Sequence, residues 1–487
     1  MFNRVAEIVK RLNLDLEFIS SGNCVDYSPV TGEQIASFPL SDSERIKIAV
    51  ERSKRAFREW RQVSPGERAE LLRLFGEEMR AAKDELAELV IIETGKIRSA
   101  AVKEVERSIK ICDMVAGIQR RISGVSVPAE SHNLVVSEVW QPIGPVAIVT
   151  SFNFPLRVWV LHALVALMCG DSVIWRPSRK ASLTAFAVNS LMRRAKARST
   201  ANCPEYLSQL IVCNHEDAAF LAENEDIPLL CATGSPVLAR GLQSRVNRRL
   251  GRSLLSVGGN NAAVVTPSAD IDFTINELLH SAIADAGQRC TSLHRVFCHS
   301  SVYDEVVGKL KDAFNAVYVN SPFERQSRIG PLIDKEAFDT MRLSLEQAKL
   351  DGGIVSGGNR IDVGCYDKAY YVQPAVVEMP SQTDLVKTEL LAPVLYVMRY
   401  DDLKQAIDGV NAFPKTLLAC IFSNDLRETG MFCSMDGVQS DAAIVNAGTV
   451  GYDMAAMFTA GKNDRGVSSE FWRVFMQSKT CLTNYNF

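Results

Sequence analysis

Apolar residues keep a helical rhythm through residues 42–120. SDSERIKIAVERSKRAFREW opens on a Ser/Asp cap and spaces Ile46, Ile48, Val50 and Ala56 among charges. In SPGERAELLRLF, Ser64 is the cap, Pro65 takes the first helical position and Glu67 follows. That is a strong helix start. Leu71, Leu72, Leu74, Phe75 and Met79 then recur at helical spacing.

After residue 130 the rhythm changes to short apolar runs, each followed by a helical stretch. Residues 134–140 (LVVSEVW) and 145–150 (PVAIVT) predict strands, as do SVIWRPS, SQLIVCN and PLLCATGS, with helices from about 182, 216 and 236. A second series follows from about 254 to 440, with AAVVTP, RVFCHSS, LYVMRY, LACIFS and AAIVNA as strands. Strand–helix alternation predicts an α/β fold with parallel sheets and ligands at the strand C-terminal ends. The tail SKTCLTNYNF predicts a strand without an evident partner in the chain, so another subunit is a candidate. LLSVGGNNA is expected to end a long polar, helix-like run. The most apolar run, Val158 to Cys169, has 12 residues and contains His162. A bilayer needs about 20, so a buried helix is expected and no membrane partner.

Composition narrows the class. The 487 residues exceed one core of about 100–200 residues. They are 47% hydrophobic and 23% charged, as in ordinary globular proteins. A net charge of −3 offers no field for a phosphate backbone, so no nucleic-acid partner is expected. Twelve scattered cysteines, without CxxC or a close Cys/His cluster, argue against a metal site and a disulfide framework. Free thiols suit a reducing cytoplasm, and the charged, amphipathic start lacks a signal-peptide core.

Four short motifs carry chemistry. AGQRCT places Cys290 beside Arg289, and a nearby cation favours the thiolate nucleophile; a structural cysteine is the alternative, with eleven others present. SFNFP ends a strand with Asn153, whose amide suits an oxyanion or simply a turn. ATGSPV, at a strand-to-helix junction, can present backbone N–H groups and Ser235 to a phosphate, although a plain turn explains it better alone. RPSRK carries three cations, which suit a ribose or phosphate or a solvated loop. There is no GxGxxG.

Taken in order, Asn153, RPS, TGS, GGNN, GQRC and TELLAPV resemble the aldehyde dehydrogenase superfamily over nearly the whole chain. SLLSVGGNNA and AGQRCTSLHRVF look most like its antiquitin-like branch, which oxidises α-aminoadipate semialdehyde, with its bacterial piperideine-carboxylate relatives. The resemblance implies an aldehyde dehydrogenase fold. A Rossmann-like cofactor domain would span 1–122 and 146–253, an α/β catalytic domain 254–445, and an oligomerisation element 123–145 and 446–487. It implies NAD- or NADP-dependent oxidation of a small-molecule aldehyde or semialdehyde by a cytoplasmic homodimer or homotetramer.

Residue by residue, Cys290 matches the nucleophile, and Asn153 with the Cys290 N–H the oxyanion hole. Ser151, Phe152, Arg176, Ser178 and Arg179 match cofactor-binding positions, with Phe152 where many members have Trp. Thr233, Gly234 and Ser235 match the pyrophosphate turn. Val257 and Gly258 match the stretch beside the nicotinamide, where only Gly allows so close an approach. Glu389 matches the acid on the nicotinamide ribose, and Leu391 stands where Phe is frequent. Arg289 occupies a position linked to the substrate carboxylate.

Three places depart from the pattern. Ser256 occupies the place of the general-base glutamate, and a hydroxyl of ordinary pKa takes no proton from water near pH 7. Arg465-Gly466 replaces a G-R-E segment, and Phe458-Thr459-Ala460 a Phe-Gly-Gly. These departures leave open a slow hydrolase step, a thioester passed to another nucleophile, a reductase, or a catalytically impaired homologue.

Overall fold

The computed structural model describes residues 1–485 apart from 365, 414–415 and 452–469. The altered positions 458–460 and 465–466 therefore lie outside the described residues.

The helical rhythm of residues 42–120 forms four helices: Ser43–Trp60, Pro65–Ala81, Lys83–Thr94 and Arg98–Ile118. The second starts on a complete capping box between Ser64 and Glu67. Each box satisfies helix-end N–H groups that have no intrahelical partner. The apolar run forms the helix Arg157–Cys169, buried from Trp159 onward. Trp159 stacks on Trp175 at 4.6 Å and meets Phe75 edge-on at 6.0 Å. Burial of each such side chain contributes about 1.5–3 kcal/mol, which fixes this helix against the strand Ser172–Arg176. Among the described residues no helix is long and apolar enough to cross a membrane.

The first strand series makes a parallel five-stranded sheet. Its order is Ser208–Leu210, Ser172–Arg176, Pro145–Val149, Leu229–Gly234 and Arg252–Val257. The helix Pro236–Arg248 ends earlier than the polar run suggests. Leu250 turns the chain at φ 59° and Gly251 follows. Residues 252–257 then form a strand beside Leu229–Gly234. The helix-like reading up to LLSV is thus corrected, and the boundary expected at 253/254 falls inside a strand.

The second series makes a seven-stranded sheet. Its order is Ile354–Gly357, Ala375–Glu378, Val394–Tyr400, Leu293–His299, Asn261–Val265, Leu418–Phe422 and Ala442–Val445. Only the first pair is antiparallel. Each sheet sits in its own hydrophobic core.

The tail finds its partner inside the chain. Met476–Asn484 pairs antiparallel with Leu134–Pro142 along nine residue pairs, and Val125–Val127 lines the other side. The expectation of an unpaired tail strand is overturned. Two segments more than 300 positions apart leave no local signal of their pairing.

Candidate active site

The five-stranded sheet reverses its strand order between Pro145–Val149 and Leu229–Gly234. Such a reversal opens the crevice in which open α/β sheets take ligands. The loops leaving both strands carry the expected cofactor residues. The Ser151 N–H donates to Thr233 Oγ1 at 3.0 Å, joining the two loops. Ser235 caps the helix Pro236–Arg248, accepting from the Leu238 N–H at 3.3 Å, with Pro236 next. Phe152 is half-buried, 5.7 Å from the Lys180 ammonium.

The third loop, Arg176 to Lys180, divides its cations. Arg176 is 3% exposed and donates to the Cys213 carbonyl at 3.2 Å. Arg179 stands exposed, and Lys180 pairs with Asp334. Ser178 accepts from the Lys180 N–H at 3.3 Å. The following helix is held by Glu93, whose carboxylate takes the Leu183 and Thr184 N–H groups at 2.6 Å each. The loop is thus seated from behind, with Arg179 left outward.

The turn Gly258–Asn261 runs from the edge strand of one sheet into the strand Asn261–Val265, beside the central strand of the other. A methyl group on Gly258 would lie 1.7 Å from Glu389 Oε1. The bare backbone is what admits that carboxylate. Val257 is buried, Leu391 half-buried, and Ser256 is half-buried with no side-chain hydrogen bond among the described residues. In the seven-stranded sheet Gly258, Cys290, Glu389 and Leu391 precede the N-terminal ends of strands, opposite to the expectation. The crevice of one sheet thereby faces the nucleophile loop of the other.

That loop is built against backbone preference. Asp285 and Ala286 adopt left-handed φ values of 53° and 58°, and Gly287 continues at 69°. Left-handed non-glycine residues cost about 1–3 kcal/mol each and persist only when the surroundings hold them. Here the surroundings are explicit. A methyl group on Gly287 would meet the Ala392 carbonyl at 2.2 Å, so GQRC packs directly on TELLAPV. Asn261 donates to the Cys290 carbonyl at 2.9 Å and the Ser292 carbonyl at 2.8 Å, and accepts from the Leu418 N–H at 2.9 Å. Asn153 donates to the Gln288 carbonyl at 3.0 Å and accepts from Ser151 Oγ at 2.6 Å. A primary amide has two N–H groups, so one remains for a ligand. The Cys290 N–H donates to no backbone carbonyl among the described residues and faces its own thiol.

The electrostatics differ from the sequence reading. Burial pushes the Cys290 thiol up. Arg157 pulls it down most, Glu389 pushes it up again, and Arg289 follows. Arg289 is occupied, donating to Asp285 at 2.6 Å. Asp285 also lies 3.5 Å from Lys96, which pairs with Glu104. Burial would raise the Asp285 carboxyl, but Arg289 and Lys96 hold it down to about 2. Arg289 is therefore not the chief cation acting on the thiol, as its place in the sequence suggests.

The sequence reading missed Arg157, Asn261, Lys96, Glu104 and Asp285. Asn261 stood in view within GGNN, but its two carbonyl partners lie beyond residue 289. Asp285 and Arg289 have the spacing of a helical ion pair, yet the backbone between them is left-handed.

A family model described as the aldehyde dehydrogenase family matches residues 19–480. The chain is 32% identical over 464 residues to aldehyde dehydrogenase family 7 member A1 of Pisum sativum, covering 94% of this chain and 90% of that protein. It is 31% identical to α-aminoadipic semialdehyde dehydrogenase of Bos taurus, covering 94% and 85%. The fold is similar to betaine aldehyde dehydrogenase of Staphylococcus aureus, with a TM-score of 0.91 at 22% identity over 99% and 97% of the two chains.

Proposed function

The chain belongs to the aldehyde dehydrogenase family, and from that membership we propose that Cys290 is the nucleophile that oxidises an aldehyde or semialdehyde to a carboxylate. The enzyme is an oxidoreductase acting on aldehydes, with NAD or NADP as acceptor. One arrangement carries the reading: Cys290 with a backbone N–H that serves no backbone carbonyl among the described residues, on a loop seated by Asn261 and tied to the Asn153 amide.

The Cys290 thiolate attacks the carbonyl carbon, forming the C–S bond of a thiohemiacetal. The second Asn153 N–H and the Cys290 N–H donate to the oxygen that gains charge. A nicotinamide held in the crevice would supply the hydride acceptor, which would leave a thioester on Cys290. Water attacks the thioester, and the thiolate leaves. Ser256 supplies no base for that water, so deacylation is slow.

The crevice fits a dinucleotide. Ser151, Phe152, Thr233, Gly234 and Ser235 line it, Val257, Gly258 and Leu391 border its inner end, and Glu389 lies on the glycine turn where a ribose hydroxyl needs an acceptor. Arg176 and Ser178 shape the outer loop. We assign residues 1–122 and 146–253 to cofactor binding, 254–445 to catalysis, and 123–145 with 446–487 to assembly in a cytoplasmic homodimer or homotetramer. The three-stranded sheet supports assembly, since Val125, Val127, Val135 and Leu482 are exposed on it. Light scattering at micromolar concentration should give a dimer or tetramer; a monomer overturns this.

Rapid mixing with an aldehyde panel and either cofactor tests the function. A burst of reduced nicotinamide equal to the enzyme, followed by slow turnover, is expected. Absence of both across the panel refutes the reading.

The exposed Arg179 also predicts cofactor choice. Its fork can pair with a 2′-phosphate, so NADP should bind at least as tightly as NAD. Arg179→Glu should weaken NADP by about tenfold or more and spare NAD. NAD binding more than about tenfold tighter in the wild type is incompatible with this role.

A further inference from the structure

Three cations gather on the ring of Phe154: Lys96 at 4.1 Å, Arg157 at 4.2 Å and Arg289 at 5.8 Å. Two carboxylates answer them. Glu104 pairs with Lys96, and Asp285 with Arg289 at 2.6 Å and Lys96 at 3.5 Å. The other Glu104 oxygen takes the backbone N–H groups of Leu156 and Arg157 at 3.4 Å each. Arg157 is left over. Its guanidinium makes no hydrogen bond or ion pair with the described residues, beyond resting on Phe154.

The contrast with Arg295 is informative. That guanidinium also lacks an acid, but Gln382, Thr416 and the carbonyls of Asn260 and Gly409 accept its protons. Unpartnered nitrogens of Arg68, Arg176 and Arg295 are buried, whereas Arg157 is half-buried. Arg157 opens the helix that follows Asn153, and its charge acts on Cys290. Glu104 is the main charge acting on it, but a half-buried guanidinium whose N–H groups find no acceptor among the described residues is costly unless a further anion completes it.

We propose that Arg157, rather than the Asp285-bound Arg289, recognises a carboxylate at the far end of the aldehyde substrate. The substrate class is then acidic semialdehydes, held through two N–H groups of the guanidinium. This rests on the aldehyde-oxidation reading.

The test compares glutarate semialdehyde with pentanal, of equal chain length, in the wild type and in Arg157→Met and Arg157→Lys. The ratio of their kcat/KM values cancels any effect of the lost charge on the thiol, since both meet the same thiolate. Arg157→Met should lower the ratio roughly 10- to 100-fold, and Arg157→Lys should restore part of it. An unchanged ratio in Arg157→Met overturns the proposal while leaving aldehyde oxidation intact. If the wild type oxidises neither aldehyde, that reading fails separately. Alkylation of the Cys290 peptide, followed by mass spectrometry, then decides. Glutarate should slow it in the wild type and not in Arg157→Met; equal protection in both overturns the assignment.

Discussion

Replacing Cys290 with alanine is expected to abolish both the burst and the steady-state formation of reduced nicotinamide. The loss should be about 10⁴-fold or more, the scale seen when a covalent nucleophile is removed. Cofactor affinity should stay, because the crevice residues and Gly258 belong to other segments. No other described thiol is placed to substitute. Cys112, Cys231 and Cys420 are buried, and burial pushes their thiols far up, as it pushes Cys298 up to about 12. Burial acts on Cys290 too, but Arg157 and Arg289 oppose it there. Residual turnover near the wild-type rate would exclude the assignment.

Restoring a carboxylate at Ser256 is expected to have the second largest effect, in the opposite direction. Ser256→Glu should raise steady-state turnover by about 10²–10⁴-fold, the usual contribution of a general base. The burst amplitude should not change, because acylation does not need that base. Ser256 is half-buried and makes no side-chain hydrogen bond among the described residues, so its replacement breaks no side-chain hydrogen bond. Glu389 lies against Gly258, two positions along the same chain segment. A neighbouring like charge and partial burial both raise a carboxyl pKa towards neutrality, which suits a base. Steady-state rates identical to the wild type, in a variant whose burst is intact, would show that water activation does not limit turnover.

What the sequence disclosed is local. Caps such as Ser64–Glu67, helical spacing from Leu71 to Met79, and short apolar strands all sit within a few residues of their cause. Order along the chain then singled out Cys290, Asn153 and Glu389. What stayed hidden depends on distant partners. The tail strand is nine residues long and mixes polar and apolar residues on both faces, so nothing in it points to Leu134–Pro142. Arg289 reads as a free cation until Asp285, through a left-handed backbone, is found on it. Arg157 reads as one polar residue heading an apolar helix. Its meaning lies in an absence, the lack of an acceptor for its guanidinium among the described residues, and an absence has no sequence motif. The strand Arg252–Val257 was obscured by the polar run before it, which Leu250 and Gly251 end abruptly.

The turn Gly258–Asn261 is the chain's crossing between the two sheets, and it divides the selective demands on this enzyme. Arg157 and the dinucleotide loops are anchored in the first core, while the Cys290 loop is anchored in the second. Drift at the Arg157 position can therefore retarget the enzyme to new aldehydes so long as the Asn153–Gln288 and Lys96–Asp285 ties to the nucleophile loop are kept. Asn261 fastens that nucleophile to Leu418 from the other side. Divergence within such a lineage is expected to concentrate at Arg157 and to spare the crossing itself, where one added methyl group would displace Glu389.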